Sequence, residues 1–161
     1  MANVTVELKN YLPDIQGKIN SAALEWLEET SGEIESQVKR NTRTDFGQLK
    51  NSWTHQVDRS MGEAVVGSPL ENAIWEEYGT GEHAAEGNGR STPWYVPVES
   101  ATGTKKPSYN GKVIVVYGKN GKAYYKTNGK EPQKMFQTAL DSTIPKAKKA
   151  IAAKLKKINT T

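Results

Sequence analysis

Ile15, Ile19, Ala22, Ala23, Trp26, Thr30, Ile34 and Val38 recur at helical spacing and form one slowly drifting stripe. Glu25, Glu28, Glu29, Glu33 and Glu35 take much of the rest of that surface. Pro13 and Asp14 stand where the stripe opens, Asp14 as a residue type suited to capping, so a helix is expected from about Asp14 to Val38. At 1.5 Å per residue it is on the order of 37 Å long. Leu24 lies opposite the stripe, which lets one helix touch both its own sheet and a neighbour. Gly17 and Gly32 are its weak points.

Beyond the helix, Thr44 or Asp45 is placed to cap a single turn that sets Leu49 and Trp53 on one face. From Trp53 the period falls to two: Trp53, His55 and Val57 alternate with Thr54, Gln56 and Asp58. "RSMGE" turns the chain and Ala64–Gly67 returns, an antiparallel hairpin. Asn72–Tyr78 is a short helix with Ile74 and Tyr78 on one face, ended by Gly79, and Trp75 and Tyr78 are expected to anchor it. Residues 82–111 form a long polar loop rich in Gly, Pro and Ser, interrupted by a short aromatic strand, Trp94–Val98.

"KVIVVYGKNGKAYYKT" is the clearest hairpin, with Asn120-Gly121 at its turn. A helix follows with Phe136, Ala139 and Leu140 inward, and Pro145 bends or restarts it. Ala147, Ala150, Ile151, Leu155 and Ile158 then oppose Lys146, Lys148, Lys149, Lys154, Lys156 and Lys157. The pattern predicts one α+β domain over residues 1–161. Its long N-terminal helix and C-terminal helices pack on a small antiparallel sheet, with an extended loop at 82–111 and a lysine-rich helix at 145–161.

Charge adds polarity to this picture. Residues 1–38 carry two lysines against seven acids, whereas residues 104–161 carry fourteen lysines against two acids, within a net charge of +4. Such asymmetry suits an electrostatic partner: nucleic acid, an acidic neighbour, or the chain's own acidic N-terminal part. The lysine helix is the best nucleic-acid signal, for neutralising phosphates without reading bases. It lacks the interleaved aromatics of single-strand binders.

Chemistry is poorly supported. The chain has no cysteine, which removes thiolate catalysis, disulfides and Cys-type metal sites. Gly79-Thr80-Gly81 lacks the third glycine of a dinucleotide loop, because position 84 is alanine, and no phosphate-loop Gly-Lys-Ser/Thr follows. His55 is expected on a strand surface. His83 with Glu82 and Glu86 offers at most an adventitious cation site. Glu76 and Glu77 are adjacent on a helix, so they diverge instead of forming an acid–base pair. No Gly-x-Ser-x-Gly occurs. No catalytic residue, cofactor or metal is therefore expected. No apolar run approaches the roughly 20 residues of a membrane span, and the N-terminus lacks signal-peptide features, so a cytoplasmic origin is expected.

Four blocks stand in order: "TDFGQLKNSW", "IWEEYGTG", "EGNGRSTPWYV" and "TNGKEPQKMFQTALD". Their landmarks are Gly47, Leu49 and Ser52; Glu77, Tyr78, Gly79, Thr80 and Gly81; Gly87, Asn88, Gly89, Arg90, Pro93 and Trp94; and Thr127, Gly129, Pro132, Phe136 and Ala139. As a set, spanning about residues 12–142, they resemble the tail-component family of long-tailed double-stranded-DNA bacteriophages and prophages, the tail-completion or head-tail joining proteins. Val98–Lys112 is longer than that pattern, and the extension after Asp141 lies beyond it.

The resemblance implies a non-enzymatic virion protein at the neck, assembled in the bacterial host cytoplasm. It implies a ring, commonly a hexamer, around the path of the genomic DNA. Partners would be other copies of itself, the tail tube or tail terminator, and the head connector or stopper; no membrane is involved. Glu76, Glu77, Tyr78, Gly79, Thr80, Gly81, Arg90 and Trp94 are then candidate interface residues, with Arg90 pairing with Glu76 or Glu77 within or between subunits. The competing reading is a duplex-DNA-binding module using Lys146, Lys148, Lys149, Lys154, Lys156 and Lys157.

Overall fold

A computed structural model describes residues 12–43, 47–100, 106 and 112–158. Two long helices dominate it: α1 (Leu12–Asn41) and α4 (Met135–Ile158). At 1.5 Å per residue α1 is about 45 Å long. It begins two residues before Asp14, so Pro13 and Asp14 sit inside its first turn. There Asp14 complements the positive end of the helix instead of capping it from outside. The expected caps Thr44 and Asp45 lie outside the described residues.

The long helices pack antiparallel. Asn41 Nδ2 donates to the Met135 carbonyl at 3.0 Å, and Trp26 Nε1 donates to the Ala147 carbonyl at 2.8 Å. Farther along, Lys154 Nζ reaches Glu25 at 3.3 Å and Glu29 at 2.9 Å. Part of the charge asymmetry is thus neutralised within the chain. Pro145 does not restart α4, which runs through it. Proline lacks an N–H, so the cost there is one main-chain bond to the carbonyl four residues earlier.

The core lies between the C-terminal half of α1 and the N-terminal half of α4. Ile34, Val38, Trp53, Ala73, Met135 and Ala139 are buried, and Leu49, Val66, Phe136, Leu140 and Ile144 pack around them. Trp53 and Phe136 stack with centroids 5.8 Å apart. Leu49 within the short helix α2 (Gln48–Ser52) and Trp53 just after it both face inward, as their i, i+4 spacing requires. Ile15 and Ile19 belong to the same sequence stripe but remain 41% exposed, because they lie far from this core.

Among the described residues the β structure divides into three small antiparallel sheets. β1 (Thr54–Asp58) and β2 (Glu63–Gly67) form the expected hairpin against α1, with His55 and Val57 on its inner side. Asp58 accepts bonds from Ser60 and Met61 at its turn, which hold its carboxyl below the usual aspartate range. After α3 (Asn72–Tyr78) comes β3 (Thr80–Gly81), which pairs with β7 (Gly129–Lys130).

The third sheet is built from β4 (Trp94–Pro97), β5 (Ile114–Tyr117) and β6 (Ala123–Thr127), in the spatial order β4–β6–β5. The Asn120-Gly121 turn closes as expected, with the Gly121 amide donating to the Gly118 carbonyl at 2.9 Å. This sheet packs chiefly on itself and on the short 3-10 turn Val98–Ser100. Among the described residues, no helix is long and apolar enough to cross a membrane.

Candidate functional site

Three of the four sequence blocks converge on one place. Glu76, on α3, faces Lys130 Nζ and Gln133 Nε2, and its carbonyl accepts from the Gln133 amide at 2.7 Å. Glu77 turns the other way and is buried. Its two carboxylate oxygens accept from the amides of Phe136 at 2.7 Å and Gln137 at 2.9 Å. Those amides belong to the first turn of α4, where N–H groups have no partner within the helix. A carboxylate also suits the positive end of the helix dipole. Glu77 is therefore the N-terminal cap of α4, supplied by another helix. The two glutamates diverge, as their adjacency predicts.

Beyond them the backbones interlock. Gly79 has a φ of +72°, and a Cβ there would stand 2.7 Å from the Lys130 carbonyl oxygen and 2.8 Å from that of His83. A Cβ on Gly81 would overlap the Asn128 carbonyl and sit 2.8 Å from Trp94 Cη2. A Cβ on Gly89 would likewise overlap the Gly81 carbonyl, and one on Gly129 that of Thr80. Thr80 Oγ1 accepts from the Lys130 amide at 3.1 Å, and the Glu82 amide donates to the Asn128 carbonyl at 2.9 Å. Chain segments pass here at main-chain distance, which only glycine permits.

The stretch after Gly81 is not a free excursion. The amides of Ala84, Ala85 and Gly87 donate to the carbonyls of Gly81, Tyr78 and Ala84, so residues 82–89 fold back on the crossing. The remainder of the expected loop includes β4 and the 3-10 turn. Residues 101–105 and 107–111 lie outside those described.

One expectation fails, and the within-chain form of a second is not met. Trp75 and Tyr78 do not anchor α3: they are 55% and 51% exposed, and Ala73 and Glu77 face inward. On so short a helix only one stripe meets the protein, and the Glu77 cap fixes which one. Nor does Arg90 meet Glu76 or Glu77 within the chain. Its Nε donates to Thr92 Oγ1 at 2.9 Å, and its guanidinium sits over the Trp94 ring at 5.8 Å. Glu76 is already held by Lys130 and Gln133, and Glu77 by α4.

Both histidines sit beside carboxylates. His83 Nδ1 lies 2.8 Å from Glu131, with no trio formed from Glu82 and Glu86. His55 is no open surface residue. Its Nδ1 is 2.5 Å from Glu35 Oε2 and its Nε2 is 3.5 Å from Glu28 Oε1. Lys39 closes the cluster, 2.5 Å from Glu35, and Arg59 lies 3.9 Å from Glu28. The hydrogen bond to Glu35 raises the His55 pKa above its ordinary value against a smaller effect of burial. The bond from Lys39, then that from His55, lowers Glu35. A signal was present in the sequence: Glu28, Gly32 and Glu35 share one helix face, and the ring of His55 rests on Gly32, 3.7 Å from where a Cβ would be. The helix's weak glycine is the seat of the imidazole.

Of the lysine helix, Lys154 is turned toward α1, whereas Lys146, Lys148 and Lys149 are exposed. Lys156 and Lys157 lie in the last turn of α4.

Residues 7–79 match the family model described as "Bacteriophage HK97-gp10, putative tail-component". The chain is similar to phage tail components. The match takes in α1, α2, the β1–β2 hairpin and α3, and ends at Gly79, within the interlocked crossing. Its Gly47–Ser52 block holds the α2 turn to the next loop, where Ser52 Oγ and Ser68 Oγ are 2.6 Å apart. The blocks containing Gly89 and Gly129 lie beyond the match, yet they form the same structural unit as Gly79 and Gly81. No curated protein and no solved structure matches the chain.

Proposed function

We propose that this protein is a structural part of the tail of a phage or prophage, completing the tail end and joining tube to head connector as a ring around the DNA path. The observation that carries the reading is the similarity of residues 7–79 to phage tail components. The Glu76–Gly81 region supports it in kind, since its glutamates and glycines hold one helix and one strand crossing together. They form a rigid element from which side chains such as Arg90 and Tyr78 face outward. The partners are further copies of the chain, the tube or its terminator, and the connector or stopper, and the site of action is the virion neck. Catalysis has no part in this reading.

Light scattering of the purified protein, alone and with assembled tail tubes, tests it. A closed ring, free or formed only on the tube, is the expected result. A monomer indifferent to the tube would refute it. Retention of that monomer on duplex DNA, lost steeply between low and moderate salt, would move the function to the exposed lysines of α4, the competing reading.

A further inference from the structure

Two exposed aromatic patches on this chain carry opposite charge around them. The first is the outer face of α3, where Ile74 and Trp75 stand about one turn before Tyr78. Residues 68–89 around it contain five glutamates and neither lysine nor arginine. Two of the five, Glu76 and Glu77, are committed inward. Glu71, Glu82 and Glu86 remain exposed.

The second patch lies on the β4–β6–β5 sheet. Tyr95, Val116 and Tyr124 share one face of the sheet by register and line an open cleft of about 630 Å³, with Tyr117 and Lys119 at its rim. Tyr95 is 56% exposed and Tyr117 is 78% exposed. Residues 112–126 hold four lysines and no acid, and Lys119 and Lys122 are exposed at the hairpin tip. Glu99, on the adjoining 3-10 turn, is the one acid close by in sequence. Short strands that pack chiefly on one another gain stability from a further covering layer.

We propose that the α3 face of one copy seats in the β-sheet cleft of the next, a head-to-tail contact between two copies of this chain. This deepens the assembly reading and rests on it. The occupant follows from charge: a twofold contact of like patches would set glutamates against glutamates or lysines against lysines, whereas the unlike pairing sets acids against lysines around an aromatic centre. Trp75 and Tyr78 are of the residue types that dominate such centres once desolvated. Two different faces on one chain generate a ring or filament, never an isolated dimer.

The test uses Trp75→Glu and Tyr95→Glu, each changing one exposed patch, with circular dichroism to confirm folding. Sedimentation of the full-length proteins is measured alone and on tail tubes, at low and moderate salt. Each variant by itself loses self-association by at least about 30-fold, the effect of a hot-spot residue. An equimolar mixture forms a one-to-one dimer and nothing larger, since one good face remains on each partner. Because the chain has no cysteine, Glu71→Cys mixed with Lys119→Cys, exposed rim positions that leave both aromatic centres intact, provides an independent check: a short bismaleimide links the two into a heterodimer.

Wild-type-like association of either variant, a mixture that stays monomeric, or absence of the crosslink overturns the proposed pairing while leaving a ring built on other faces intact. A wild-type chain that is monomeric both alone and on tubes overturns the pairing and the ring together.

Discussion

Replacing Glu77 by glutamine removes a charge and turns one acceptor into a donor while leaving volume almost unchanged. In the protein the two carboxylate oxygens satisfy the Phe136 and Gln137 amides at 2.7 and 2.9 Å, and the residue is 8% exposed. Glutamine can satisfy one amide and must point its own N–H₂ toward the other. Leaving one buried donor unpaired costs about 1–3 kcal/mol, and losing the charge at the helix end adds roughly 0.3–1 kcal/mol. The expected destabilisation is therefore about 2 kcal/mol for Glu77→Gln and about 3 kcal/mol for Glu77→Ala, which orphans both amides. Urea unfolding reads this directly: with a slope of about 2 kcal/mol per molar, the midpoint falls by roughly 1 M for the glutamine variant at unchanged slope. Amide exchange at Phe136 and Gln137 should accelerate together. If both variants unfold within about 0.5 kcal/mol of wild type, the range of a neutral surface change, Glu77 does not cap α4.

Three further outcomes are expected. The raised pKa of His55 means that its bonds to Glu35 and Glu28 contribute fully below about pH 6.5, the ordinary histidine value, and fade as pH climbs through the folded value. For so partly exposed a cluster the contribution is about 0.5–1 kcal/mol, so thermal melts across that window should flatten in His55→Gln, and an unaltered profile would deny the histidine this role. Gly81→Ala should cost about 3 kcal/mol or more, whereas Gly62→Ala, at a similar positive φ but in open space, should cost about 1 kcal/mol; equal midpoint shifts in denaturant would mean that backbone conformation alone, and not the close crossing, requires glycine. Trp26→Phe removes the indole bond to the Ala147 carbonyl and should lower stability by about 1 kcal/mol in the same unfolding assay, with no loss expected if that bond is idle.

What could be foreseen from the chain was whatever is local. The Trp53–Asp58 alternation and the Asn120-Gly121 turn are decided by neighbours two to four residues apart, and both hairpins form where expected. The α1 stripe likewise holds where Ile34 and Val38 meet the core. It loses force at Ile15 and Ile19, because periodicity gives the direction of a side chain without saying what faces it. The site was legible as a set of blocks but not as a mechanism. Glu77 and Phe136 are 59 residues apart, and nothing near Glu77 reveals that a second helix begins against it. The same blindness put Trp75 and Tyr78 inside: size and apolarity favoured them, but a buried carboxylate with two amides to satisfy took the inner face. His55 was read as a strand-surface residue, because only the packing of that strand on α1 supplied its carboxylates.

The interlocked glycines also bear on how this chain tolerates growth. Trp94 pairs with Thr127 and Gly81 with Gly129, so everything between Trp94 and Thr127 hangs from a clamped base. The entropy of closing such a loop rises only logarithmically with its length, about 0.6 kcal/mol for each doubling. The unusually long Val98–Lys112 link is therefore nearly free to carry. Between those two residues, evolution or an engineer can splice in new sequence without touching the clasp beneath.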